Sequence, residues 1–180
     1  MKTTGELIGD KSRPGAAGQE TALLTRRHLS FGWWALLLFL TFGLLLESLH
    51  GFKVGWYLDV SNQTRRLMWT LAHAHGTLLG LINIAFGATV HLLPAWDLRR
   101  RNAASYCLMA AAVLIPGGFF LGGAVVYGGD PGLGILLLPA GALFLCGGVF
   151  LCARGVRSLK VPSGRVSGEA PRKGGEGKAN

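Results

Sequence analysis

The 180-residue chain is 50% hydrophobic and only 15% charged, whereas soluble domains carry about 25% charged residues. This deficit indicates lipid as the solvent and excludes an ordinary soluble domain. The net charge of +9 comes mainly from basic residues at the two ends and in short loops. Because no RNA- or DNA-binding signature accompanies them, no nucleic-acid partner is expected.

The first predicted element is a polar, Gly-containing segment. Residues 1–28 lack apolar periodicity and are predicted to form a disordered cytoplasmic tail. A first transmembrane helix is predicted over about residues 30–50, since this apolar run of about 20 residues is long enough to span a bilayer. The run is too long for a signal-peptide core and no cleavage-site pattern follows it, so the helix is expected to be retained.

Three more transmembrane helices are predicted over about residues 67–93, 103–127 and 132–153. The third contains Pro116-Gly117-Gly118, which membrane helices tolerate and which predicts a kink. A Gly-rich turn over residues 128–132 predicts that helices three and four form an antiparallel hairpin. The fold class is therefore all-α, a four-helix transmembrane bundle over residues 29–153, followed by a disordered basic tail over 154–180.

The distribution of basic residues predicts the orientation. With the N-terminus inside, only Lys53, Arg65 and Arg66 of the 18 Lys and Arg residues fall in the outer loops. Cytoplasmic segments carry an excess of Lys and Arg. Both termini are therefore predicted to be cytoplasmic.

The apolar spans of helices three and four contain packing glycines and three cysteines but no ionisable Asp, Glu, His, Lys or Arg side chain. Cys107, Cys146 and Cys152 lie in apolar runs without CxxC spacing. This pattern indicates neither a disulfide framework nor a thiolate zinc site, so the cysteines are interpreted as packing residues.

Ionisable side chains inside the apolar spans are concentrated in helices one and two. Glu47 and His50 share a face at the end of helix one, and His73 and His75 lie near the start of helix two. At a rise of about 1.5 Å per residue, the two pairs reach similar depths in the outer half of the membrane. His73 and His75 differ by about 200° around a straight helix, so one of them is expected to point elsewhere.

Three interpretations of this Glu/His cluster remain open: binding of a metal or haem, structural pairing, and a proton or solute pathway. Glu47, His50, His73 and His75 supply ligands that suit iron, copper or zinc, and E-x-x-H is a recurrent helical metal motif. The three histidines are also candidate haem ligands. Alternatively, the carboxylate and a histidine pair only to fix helix packing, or the residues belong to a proton or solute pathway.

Other polar residues of these helices receive separate interpretations. His91 lies five turns, about 27 Å, from His73 on the same face, an arrangement that would suit two stacked haem layers. His28 follows two arginines and is interpreted as a solvated interfacial residue. Asn83, in the middle of helix two, is predicted to form a hydrogen bond to another helix.

The segment Ala72-His73-Ala74-His75-Gly76, followed by Leu79-Gly80, resembles the histidine-bearing second helix of the haem-copper oxidase catalytic subunit and its small subunit-I-like relatives. The resemblance implies that His73 is an axial haem ligand, with His75 as the next candidate. Helices three and four hold none of the histidines that bind copper in that family. The resemblance therefore implies a truncated haem or metal module, or a subunit accompanying a respiratory complex.

Together these patterns predict a small multi-pass protein of the cell membrane whose outer Glu/His cluster binds haem or a transition metal in a redox or metal-handling role. The alternative is a non-enzymatic packing or assembly subunit, or a component of a proton or solute pathway. No catalytic residue is identified. The expected partners are the lipid bilayer and either other membrane subunits or further copies of the chain.

Overall fold

A computed structural model describes residues 15–93 and 96–157 of the chain. The helices, in chain order, are α1 (Ala16–Gly51), α2 (Gly55–Leu58), α3 (Gln63–Leu92), α4 (Leu98–Ala124) and α5 (Leu137–Arg157). The 3-10 turns Val60–Asn62 and Leu133–Leu136 precede α3 and α5, and two short strands, β1 (Val126–Tyr127) and β2 (Asp130–Pro131), follow α4. The first half of the predicted N-terminal tail, residues 1–14, and most of the predicted C-terminal tail, residues 158–180, lie outside the described residues.

Four of the helices are long and apolar enough to cross a membrane. They correspond to the four predicted spans and indicate a multi-pass membrane protein. Helices are the expected solution in lipid because they satisfy every backbone hydrogen bond within the segment.

Three long helices begin earlier than predicted, and the smallest difference is in α3, which starts at Gln63 rather than near residue 67. The first starts at Ala16 rather than near residue 30, so the second half of the segment predicted to be a tail is helical. Its Leu24 packs against the core of the bundle, which stabilises a helix that hydropathy alone does not detect. α4, which corresponds to the predicted span 103–127, starts at Leu98 because the side chain of Asp97 accepts a hydrogen bond from the backbone N–H of Arg100. The Arg99-Arg100-Arg101 run, which lies between the predicted spans 67–93 and 103–127, is thus in the first turn of α4.

The long helices alternate in direction and pack in chain order, α1 on α3, α3 on α4 and α4 on α5. We call the end that holds the starts of α1 and α4 and the ends of α3 and α5 the terminal end, and the opposite end the hairpin end. The name of the latter refers to β1 and β2, which pair antiparallel across Gly128 and Gly129. Both glycines have positive φ, 58° and 97°, as a two-residue hairpin loop of this twist requires. The predicted tight turn and antiparallel pairing of the last two helices are confirmed.

Buried side chains form two clusters along the bundle. The cluster nearer the terminal end contains Phe86, Val90, Trp96, Ala104 and Leu108, and the second contains Leu79, Ala111, Ala112 and Ile115. Both clusters lie chiefly between α3 and α4, so these two helices form the centre of the bundle. By contrast α1 and α5 bury only one side, and their remaining faces are apolar and exposed.

Candidate functional site

His73 connects α3 to α1. Its Nδ1 donates a hydrogen bond to the backbone carbonyl of Phe39 over 2.7 Å. The ring lies directly over Gly43, where an added Cβ would overlap it. The absence of a side chain at Gly43 therefore creates the space that the imidazole fills, and the histidine serves as a tether between two helices.

His75 points towards the other neighbour of α3. Its ring lies 4.8 Å from the ring of Phe119 in α4, centroid to centroid. The Nδ1 donates to the carbonyl of Leu71, one turn earlier in α3, over 2.9 Å. The expectation that the two histidines diverge is confirmed, since His73 faces α1 and His75 faces α4.

The other two members of the predicted cluster are exposed near the end of α1. Neither Glu47 nor His50 is buried. Within residues 15–93 and 96–157, no three His, Cys, Asp or Glu side chains come close enough to hold a metal ion together. The prediction that Glu47, His50, His73 and His75 converge is not supported, because helical geometry turns the two α3 histidines to opposite sides.

The histidine that is fully enclosed is His28, which lies in the half of the bundle nearer the terminal end. It has no solvent-exposed surface, so its interpretation as a solvated residue was wrong. Its Nδ1 donates to Oδ1 of Asn83 in α3 over 2.8 Å, and its Nε2 accepts from the hydroxyl of Ser105 in α4 over 2.6 Å. We call these three residues the polar clasp. It joins α1, α3 and α4 at one point and confirms the predicted interhelical bond of Asn83.

The surroundings of the clasp fix its members. The Asn83 amide Nδ2 donates to the carbonyl of Leu79 over 2.8 Å, which orients Oδ1 towards His28. The ring of Phe86 meets the imidazole edge-on at 4.5 Å between centroids. At Gly87 an added Cβ would lie 3.3 Å from Cβ of His28, so a small residue lets α1 approach α3 here.

More polar groups continue the clasp towards the terminal end. The Arg101 side chain is only 3% exposed and donates from a terminal guanidinium nitrogen to the hydroxyl of Thr21 over 2.9 Å. Thr21, Thr25 and His28 follow the i, i+4, i+7 spacing of one helix face, and Arg101 and Ser105 follow i, i+4. These spacings are the signal in the sequence that could have indicated an internal polar face.

The arrangement limits the chemistry that the histidines can perform. Both ring nitrogens of His28 are hydrogen-bonded, and one nitrogen each of His73 and His75 is used in the same way. Asn83 and His73 are ten residues apart on α3, about 15 Å. The α3 residues buried between them are Leu79 and two glycines. Within the described residues, no polar path along the buried face of α3 joins the polar clasp to the histidines nearer the hairpin end.

No family model matches this chain, and neither the curated proteins nor the solved structures contain a match to it. The resemblance to the haem-copper oxidase family therefore depends on the α3 segment around His73 alone.

Proposed function

We propose that the chain is a non-enzymatic subunit of the cell membrane, which assembles with another membrane protein by receiving one of its transmembrane helices in a groove between α1 and α4. Two features support this proposal. The inward-facing histidines already serve as hydrogen-bonded tethers within the chain. In addition, α1 and α4 leave an apolar crevice open on the side away from α3.

The proposal depends on the shape and lining of this groove. It encloses about 360 Å³, with aromatic walls from α1, including Trp34 and Phe39, and a floor of small residues from α4, including Ala112 and Gly117. A Cβ added at Gly117 would meet no atom within 4 Å. Transmembrane helices associate where small residues let backbones approach closely, and a bulky side chain from a partner fits such a space.

Pro116 adds a polar feature to the groove. Proline has no N–H, so the carbonyl of Ala112, one turn earlier in α4, lacks its usual intrahelical donor. Both residues line the groove. A hydroxyl or amide on the partner helix could donate to this carbonyl, which gives the proposed contact a preferred register.

Filling the groove tests the proposal. Gly117→Leu should leave the bundle folded, because the position is open, but should exclude a partner helix. The matched control is Gly147→Leu in α5, where the nearest contact of an added Cβ is 4.0 Å away. In membranes solubilised in a mild detergent, we expect the wild type and Gly147→Leu to migrate in an assembly larger than one chain, and Gly117→Leu to migrate as a single chain.

Two results of this experiment would contradict the proposal. One is a wild-type protein that migrates as a single chain in every mild detergent. The other is an assembly made only of copies of this chain, which co-purification of differently tagged copies would reveal.

The haem or metal function predicted from the sequence is tested on the same purified protein. After expression with iron, copper and haem precursor supplied, we expect no Soret band and no stoichiometric metal, because His73 is bonded to Phe39 and packed on Gly43. A cofactor that is present in the wild type and lost in His73→Ala would replace the assembly proposal with a ligand-binding function.

We also propose that the terminal end of the bundle faces the cytoplasm. Arginines in the half of the bundle nearer that end are Arg26 and Arg27 in the first third of α1, those in the first turn of α4 and those in the last turn of α5, as the positive-inside rule requires. A reporter fused at Asn102 should read cytoplasmic, and reporters near Asn62 and Asp130 should read external. The opposite pattern would reverse the orientation.

A further inference from the structure

A cavity lined by arginines lies at the terminal end between α4 and α5. It is an open depression of about 440 Å³, lined by Arg100, Phe150, Arg154 and Arg157. The antiparallel packing of the two helices places the first turn of α4 beside the last turns of α5. Gly155 packs against the indole of Trp96, which an added Cβ would overlap, so α5 closely approaches the segment that leads into α4.

The three guanidinium groups have no acidic partner within the part of the chain that the structure describes. Asp97 is the acidic residue nearest to Arg100 in sequence, and its carboxylate accepts from the Arg100 backbone N–H as the cap of α4. Arg154 lies over the ring of Phe150, with its guanidinium carbon 5.7 Å from the ring centroid. Three positive charges around one cavity repel each other, and an anion between them would offset this repulsion.

We propose that this cavity binds the phosphate headgroup of an anionic phospholipid in the leaflet at the terminal end. Guanidinium groups form paired hydrogen bonds to phosphate oxygens and remain charged at every physiological pH. Basic pockets between membrane helices are suited to anionic headgroups.

The surface beside the cavity favours a lipid over a free phosphate ion. Phe150 and Leu143, seven residues earlier on the same face of α5, are both exposed, and this face continues from the cavity towards the bilayer centre. This apolar strip would be in contact with acyl chains while the headgroup lies on the arginines. A soluble anion would use only the charged half of the site.

The test is a lipid titration of the full chain purified in detergent. Dioleoylphosphatidylglycerol is compared with dioleoylphosphatidylcholine and with sodium phosphate, and bound lipid is counted by native mass spectrometry. We expect saturable binding of phosphatidylglycerol that is tighter than that of phosphatidylcholine. Each of Arg100→Gln, Arg154→Gln and Arg157→Gln should weaken it about fivefold, the effect of one basic residue near an anionic surface.

The matched control is Arg99→Gln, which removes the same charge from an exposed position that does not line the cavity. This variant should bind phosphatidylglycerol as the wild type does. Each variant must first elute at the wild-type volume in gel filtration. If Arg154→Gln fails this check, Arg157→Gln replaces it with the same expected effect.

Three results would overturn the proposal. Equal binding of the two lipids would show that the arginines do not recognise the headgroup charge. Competition by sodium phosphate at the concentration of the lipid would identify a free anion as the occupant. An equal loss in Arg99→Gln would indicate a diffuse surface charge rather than a site.

Discussion

Replacing Ser105 by alanine removes one hydrogen bond of the polar clasp and leaves the rest of the bundle unchanged. The Ser105 hydroxyl lies 2.6 Å from Nε2 of His28, and both residues are buried. In Ser105→Ala, Nε2 remains enclosed without a partner. We therefore expect a lower free energy of unfolding in the membrane environment.

The size of this effect follows from the cost of one unpaired buried group. Leaving such a group unsatisfied costs about 1 to 3 kcal/mol, whereas interhelical hydrogen bonds measured in a membrane protein average about 0.6 kcal/mol and reach about 1.7. We expect Ser105→Ala to cost about 1 kcal/mol. In a His28→Phe background, which removes the imidazole nitrogens but retains a ring against Phe86, the same change should cost close to nothing.

The assay is reversible unfolding in mixed micelles at increasing mole fractions of dodecyl sulfate, followed by tryptophan fluorescence. The four proteins of the cycle are the wild type, each single variant and the double variant. Ser48→Ala is the matched control, because the Ser48 hydroxyl donates within its own helix to Leu44 over 2.8 Å. If Ser105→Ala costs the same with and without His28, the clasp does not couple the helices and the reasoning is refuted.

Two further predictions concern α1 and the loop that follows it. Gly43→Ala should push the imidazole of His73 off the Phe39 carbonyl and lower the free energy of unfolding. The control Gly51→Ala should not, because an added Cβ there meets no atom within 4 Å. Equal effects of the two variants in the same unfolding assay would show that His73 tolerates displacement. Hydrogen bonds from the hydroxyl and backbone N–H of Ser61 hold the pKa of Asp59 below its ordinary value. The ionised carboxylate therefore stabilises the loop fully when the pH is above that ordinary pKa. This stabilisation is lost as the pH falls through the lowered pKa. Ser61→Ala should raise the pKa of Asp59 measured by NMR titration, and an unchanged midpoint would show that the hydroxyl has no influence on it.

The four spans could be predicted from the sequence because their length and hydropathy are local properties. The residues at which the helices begin could be predicted less accurately, because hydropathy does not detect a helix that continues outside the apolar run. At the start of α4 the cap supplied by Asp97 makes three consecutive arginines helical. At the start of α1, packing of Leu24 against the core extends the helix into a polar segment.

In the candidate site too, some features follow from local sequence and others only from tertiary contacts. The divergence of His73 and His75 followed from 3.6 residues per turn and needed no tertiary information. The enclosure of His28 could not be inferred from its neighbours in sequence, two arginines that favour a solvated position. Its partners lie 55 and 77 residues away in the chain.

The sequence by itself therefore determined that this chain has four helices long and apolar enough to span a membrane, how its last two helices are joined and that His73 and His75 point to different sides of α3, because each property depends on residues within a few turns of one another. Only the tertiary structure decided which polar groups meet. Helix rotation and the close approaches at glycines bring His28, Asn83 and Ser105 to one point. Among the described residues, they leave Glu47 outside any group of three side chains that could hold a metal ion. In a membrane, the pairing of buried polar groups is governed by the free-energy cost of leaving one of them unpaired. That cost depends on neighbours in space rather than in sequence.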